Sequence, residues 1–141
     1  MIILDTNVLS EPLKPQPDPT VLAWLKAQEP QTLYITSVNI AELTAGIAVM
    51  PAGKRREALQ RGLAQQVSAV FEGRVLPFDM KAGQVFGEVF ANAQAVGRPI
   101  RFAACAIAAI ASIHDFAIAT RNTGDFQGTG IRLLNPWTGL I

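Results

Sequence analysis

Three acidic side chains occupy positions in this sequence where a carboxylate can do chemistry: Asp5, Glu42 and Asp125. Asp5 closes the apolar run Met1-Ile2-Ile3-Leu4 and is followed by Thr6 and Asn7. A short apolar run ended by turn-forming residues reads as a fully buried strand of a parallel sheet. A charge at the end of such a strand needs hydrogen bonds, a cation or a metal to offset its desolvation. Glu42 faces inward from the second turn of a helix that follows a second strand. Asp125 lies in the loop Arg121-Asn122-Thr123-Gly124-Asp125-Phe126 behind a fourth strand. In a right-handed α/β sheet these segments converge on the carboxyl edge, where ligands bind. Taken singly, Glu42 is an ordinary solvated helix residue and Asp125 an ordinary turn residue. Only Asp5 is conspicuous alone. Two carboxylates ~4 Å apart repel by roughly 4 kcal/mol at an effective dielectric near 20, so the cluster calls for a cation. Hard oxygen donors without cysteine or histidine suit Mg²⁺ or Mn²⁺ rather than zinc.

The elements that must position these acids are legible in order. After Asp5, residues 7–11 can form a short helix before Pro12, and the proline-rich stretch Lys14-Pro15-Gln16-Pro17-Asp18-Pro19 is an extended linker. Asp18-Pro19 is a strong helix start. Residues 32–36 form a second strand by β-propensity, Ser37 caps a helix over 38–50, and Pro51-Ala52-Gly53 breaks it. A helix over 54–71 opens with Lys54-Arg55-Arg56, against its own dipole. A third strand at 74–76 and a helix capped by Asp79 follow, the latter with Val85, Phe86, Val89, Phe90 and Val96 at helical spacing and Gly97 as its stop. An alanine-rich helix over 102–114, a strand at 116–120 and a fifth strand near 131–134 complete the chain. Strands alternating with helices, without hairpin signals, predict a three-layer α/β domain around a central, mainly parallel five-stranded sheet.

At 141 residues the chain is expected to be one domain over 1–141, large enough to bury a core without disulfides. Half of it is hydrophobic and only 16% is charged, so either one apolar face meets a partner or the interior is simply rich in alanine. Net charge +1 supplies no global field for nucleic acid. The lone Cys105 sits in an Ala/Ile run and reads as a buried, inert thiol in a reducing compartment. No export signal is visible, and the longest apolar run, 102–113, is too short to span a bilayer, which predicts a cytoplasmic protein with no membrane contact.

Together, Ile3-Leu4-Asp5-Thr6-Asn7, Ala41-Glu42-Leu43 and Ala119-Thr120-Arg121-Asn122-Thr123-Gly124-Asp125-Phe126 resemble a PIN domain, and more narrowly the VapC/FitB-like toxins of bacterial toxin–antitoxin pairs. The similarity runs over nearly the whole chain, including the segment after Ser10-Glu11-Pro12 and the closing Asn135-Pro136-Trp137. It implies a Mg²⁺- or Mn²⁺-dependent ribonuclease, usually cutting structured RNA such as tRNA and silenced by a cognate small antitoxin. It further implies a homodimer that binds operator DNA only through the antitoxin complex.

One position departs from that pattern. The family places a further acid in a context like Phe-Ala-Asp, whereas this chain reads Phe102-Ala103-Ala104, so Ala104 stands where an aspartate is expected. Three readings compete: a deliberate inactivating substitution, a naturally degenerate member, or a slight shift of alignment. The first is favoured, because the other motifs are intact and an active toxin would poison the host making it. The resemblance then makes Asp5 the central metal ligand, with Glu42 and Asp125 binding directly or through water, and position 104 a ligand only if restored to Asp. Asn122 orients a ligand or water. Thr6 and Asn7 fix the Asp5 carboxylate or merely cap the first helix. Arg98, Arg101 and Arg121 flank the site as phosphate contacts or stand as ordinary surface arginines.

Other readings fit less well. A haloacid-dehalogenase-like phosphatase needs a second acid where Asn7 stands, and dinucleotide binding lacks its glycine-rich turn. The rival from another class is a non-catalytic PIN-fold binding module that engages an antitoxin or nucleic acid.

Overall fold

The computed structural model describes residues 1–138. Five strands form one sheet in the order β3-β2-β1-β4-β5, with every neighbouring pair parallel. They are β1 (Ile2–Leu4), β2 (Leu33–Thr36), β3 (Val75–Leu76), β4 (Ala117–Ala119) and β5 (Leu133–Leu134). The helices are α1 (Thr6–Ser10), α2 (Pro19–Lys26), α3 (Ser37–Ala48), α4 (Lys54–Val70), α5 (Met80–Ala95) and α6 (Phe102–His114). The expected α/β architecture is therefore present, with the sheet wholly rather than mainly parallel.

Successive residues of a strand point to opposite faces of the sheet, and the two hydrophobic cores follow that alternation. Ile3, Ile118, Tyr34, Leu76 and Leu133 face a core shared with α5 and α6, which contribute Ala82, Val89, Ile107 and Ile110. Leu4, Leu33, Ile35, Ala117, Ala119 and Leu134 face the other core, filled by Val8, Leu9, Trp24, Leu43 and Phe71 from the helical elements on that side. These are the three layers. The alanine-rich α6 is buried at every position from Ala104 to Ala111, because small side chains let it lie close on the sheet.

Several ends differ slightly from the sequence reading. The cap of α3 is Thr36, not Ser37: Thr36 Oγ1 accepts from Asn39 N, and the Asn39 side chain accepts from Thr36 N. This reciprocal pair uses Asn where the usual capping box has Glu or Gln, so its signal in the sequence is weak. α2 stops at Lys26, ahead of Pro30, and β5 is two residues shorter than expected. Asp18 and Asp79 cap α2 and α5 through Thr20 N and Ala82 N, as their positions predict. Among the described residues, no helix is long and apolar enough to cross a membrane.

Candidate active site

β1 is the central strand, so the residue leaving its carboxyl end enters a crevice walled by the elements that follow β2 and β4. That residue is Asp5. It is only 8% exposed, and it caps α1 by accepting from Thr6 N at 2.8 Å. Its other oxygen, Oδ2, accepts from Thr120 Oγ1 at 2.7 Å and from Asn7 Nδ2 at 3.4 Å. Burial pushes the Asp5 carboxyl above the ordinary carboxylate range. The hydrogen bonds from Thr120 and Thr6 oppose that rise, the Glu42 charge adds to it, and Arg101 opposes it.

Glu42 reaches the same crevice from α3. Its Oε1 accepts from Thr6 Oγ1 at 2.7 Å, so one residue touches both acids, through its backbone to Asp5 and through its hydroxyl to Glu42. Thr6 Oγ1 in turn accepts from Asn39 Nδ2 at 3.0 Å, and Asn39 is fully buried. A cleft of about 320 Å³ is lined by Asp5, Thr6, Asn7, Glu42, Arg101, Ala104 and Asn122, together with Ser10 and Ile107. Ala104 therefore presents its methyl group beside the two acids.

Asp125 stands apart from that wall. It lies in a 3₁₀ turn, Thr123–Phe126, is about half exposed, and pairs with Arg101 at 3.6 Å. Arg101 itself lines the cleft, so Asp125 joins the site through that guanidinium. Asn122 donates its backbone N–H to Thr120 Oγ1 at 3.0 Å. Asn7 accepts from Arg121 N at 3.2 Å, which ties the loop after β4 to the start of α1. The Arg121 guanidinium lies 5.3 Å from the Trp137 ring centre, and Arg98 sits exposed on the connector beyond α5; neither lines the cleft.

Thr120, Asn39 and Thr36 were not singled out from the sequence, although all three are fully buried polar residues. Thr36 three positions before Asn39 was the one available clue.

Among the described residues, no group of three or more His, Cys, Asp or Glu side chains gathers closely enough to hold a metal ion. Asp5 and Glu42 remain a pair of hard oxygen donors at one cleft. That pair suits Mg²⁺, which is commonly held by one or two carboxylates and completes its shell with water and substrate phosphate. The Glu42 charge acting on a buried Asp5 is the condition that a bound cation relieves.

Residues 2–130 match the PIN domain family. The chain belongs to the PIN-domain family. This PIN domain is 47% identical over 137 residues to the VapC ribonuclease Y4jK of Sinorhizobium fredii, a match spanning 97% of this chain and 98% of that relative. It is 39% identical over 137 residues to Toxin FitB of Neisseria gonorrhoeae, spanning 97% and 99%. The crystal structure of FitAcB from Neisseria gonorrhoeae superimposes on this PIN domain with a TM-score of 0.91 at 39% identity, covering 97% of this chain and 99% of that one. The VapC/FitB resemblance read from Asp5, Glu42 and the segment 119–126 is thus the correct branch of the family.

Proposed function

We propose that this PIN domain is a toxin of the VapC/FitB type, a ribonuclease that hydrolyses phosphodiester bonds of structured RNA such as tRNA with Mg²⁺ or Mn²⁺, and that Ala104 impairs it. The observation that carries the reading is the joining of Asp5 and Glu42 by Thr6 in a cleft that Ala104 also lines. The kinship with a VapC ribonuclease supplies the substrate class.

Asp5 and Glu42 would hold the ion, with water in place of the carboxylate that position 104 lacks. A bound divalent ion lowers the pKa of water and offsets charge developing on a phosphate. The protein's own groups supply positioning. Thr120 and the Thr6 N–H hold Asp5 from two sides, and Thr6 Oγ1 holds Glu42. Arg101, with its side chain 70% exposed at the rim, receives a non-bridging phosphate oxygen, and Asp125 keeps it at the cleft. Asn122 orients water or a ribose hydroxyl. Thr6 and Asn7 are assigned to holding the acids and the loop rather than to RNA, and Arg98 and Arg121 to surface roles.

The expected partners are a cognate small antitoxin and a second copy of the chain, with operator DNA engaged only through the antitoxin complex. Exposed apolar side chains at Phe90, Val96 and Phe102 fit covered surface in such an assembly. The second reading, a binding module without catalysis, draws on the methyl group of Ala104 beside Asp5 and Glu42.

The deciding experiment compares the chain with its Ala104→Asp variant on total RNA, with Mg²⁺, with Mn²⁺ and with chelator. Cation-dependent cleavage that rises at least tenfold in Ala104→Asp supports the nuclease. No gain in the variant leaves the binding module as the better account.

A further inference from the structure

Glu42 is held by a chain of hydrogen bonds whose direction is set at its far end, inside the protein. Thr36 N–H can only donate, and it donates to Asn39 Oδ1 at 2.7 Å. That contact identifies the oxygen of the Asn39 amide and forces its NH₂ the other way, towards Thr6. A second backbone donor agrees: Asn39 N–H donates to Thr36 Oγ1 at 3.2 Å, so the Thr36 hydroxyl proton goes to Asn39 Oδ1 at 2.8 Å. Thr6 Oγ1 accepts from Asn39 Nδ2 and is left with one proton, which it gives to Glu42 Oε1 at 2.7 Å. Thr36 and Asn39 are 0% exposed, so water does not compete for these groups.

We propose that Thr36, Asn39 and Thr6 form a one-way positioning relay that presents Glu42 to a divalent cation, with Asn39 as its directing residue. The relay rests on the cation-binding reading above. It restrains Oε1 from behind and leaves Oε2, which has no hydrogen-bond partner among the described residues, to the cleft. Its first two links also build the cap of α3, so the helix start that places Glu42 and the contact that orients it are made by the same amide. A threonine placed only to cap α1 would need none of this, because α1 is already capped by Asp5. Partners that orient a metal ligand from behind typically change metal affinity about 10- to 100-fold when removed.

The test is Mn²⁺ binding, read by electron paramagnetic resonance on the full chain and on Thr6→Val, Thr6→Ser, Asn39→Asp, Asn39→Asp/Thr6→Val and Asp5→Asn, with thermal unfolding of each. Thr6→Val keeps the side chain's shape and removes the hydroxyl, and should weaken Mn²⁺ about tenfold, while Thr6→Ser should restore affinity to within about threefold. Asn39→Asp keeps the acceptor for Thr36 N–H but replaces the donor facing Thr6, so the Thr6 proton turns to the new carboxylate. In that background Thr6→Val should then cost nothing further, a coupling that the added charge cannot imitate because it is common to both proteins. Equal costs of Thr6→Val in the two backgrounds would overturn the directing role of Asn39. Asp5-dependent Mn²⁺ binding that Thr6→Val leaves unchanged would overturn the relay alone. Absence of any Asp5-dependent binding would overturn the cation reading and the relay with it. Should Thr6→Val unfold, Thr6→Ala carries the same comparison.

Discussion

Thr120 Oγ1 donates to Asp5 Oδ2 across 2.7 Å, joining residues 115 positions apart. The direction of that bond follows from Asn122 N–H, which donates to the same oxygen and leaves the Thr120 hydroxyl proton for Asp5. The acid at the end of β1 is thus held from the end of β4, the neighbouring strand.

Asp5 should make the protein sensitive to pH and to cations. Burial, reinforced by Glu42, raises its pKa above 3.8 despite the hydrogen bonds from Thr120 and Thr6. A group raised in the folded state contributes stability that is complete below its unfolded value and is lost as pH rises through its folded value. Near pH 7 the cation-free protein should therefore be less stable than this site allows. Mn²⁺ at a hundred times its dissociation constant should return about 2.7 kcal/mol, seen as a rise in Tm of several degrees. Scanning calorimetry from pH 4 to 8 should show this rise in the parent and its loss in Asp5→Asn. A Tm indifferent to Mn²⁺ in the parent would contradict the assignment.

The Arg101–Asp125 pair should matter for RNA more than for stability. Both side chains are substantially exposed, and such pairs contribute about 0–1 kcal/mol. Asp125→Ala should leave denaturant midpoints nearly unchanged while weakening RNA binding, because Arg101 is no longer held at the cleft. Arg101→Ala should weaken RNA binding and reduce the slope of log K against log salt by about 0.7 for a single-stranded contact. Fluorescence anisotropy titrations over a salt series measure both. An unchanged slope would remove Arg101 from the RNA path.

Cys105 should be inert in the folded protein. It is fully buried on α6, its Sγ–H donates to Phe86 O at 3.7 Å, and burial pushes the thiol up to about 11. At pH 8 roughly one thiol in a thousand is then ionised, and only the thiolate attacks. Iodoacetamide labelling followed by mass spectrometry should show no reaction in the native state and complete reaction in denaturant. Rapid native labelling would mean that α6 opens readily.

Gly128→Ala should destabilise the loop beyond the Asp125 turn. Gly128 has φ +90°, and an added Cβ would stand 2.8 Å from Val96 Cγ2 at the end of α5. Strain of this kind costs about 1–3 kcal/mol. Urea unfolding should register that loss, while Mn²⁺ affinity should hold because the cleft residues are untouched. A neutral substitution would contradict both sources of strain, showing that an alanine is tolerated at this positive φ and that Val96, which is well exposed, swings aside.

The fold was legible because its signals are local. Apolar runs closed by Asp5 and Thr36, and the aspartates ahead of Thr20 and Met80, mark strand ends and helix starts in a handful of residues each. Strand order also placed three acids at the carboxyl edge, since a parallel sheet brings its strand ends together. Of these, Asp5 and Glu42 line the cleft while Asp125 does not. Asn39, Thr36 and Thr120 were not legible, because their importance lies in hydrogen bonds to residues 33 and 115 positions away, or in an Asn used where a capping box normally has Glu. For Asp125, the sequence located the turn but could not show that its side chain would meet Arg101 from the start of another helix.

Strand order also dictates timing. β1 is translated first but sits between β2 and β4, and the latter spans Ala117–Ala119 of 141 residues. A nascent chain therefore carries both of its principal acids long before it owns the wall and the hydroxyl that would hold one of them. The Asp5 N–H, which donates to Ala119 O at 2.9 Å, is accordingly an amide whose slow exchange with solvent reports that β4 has docked beside β1.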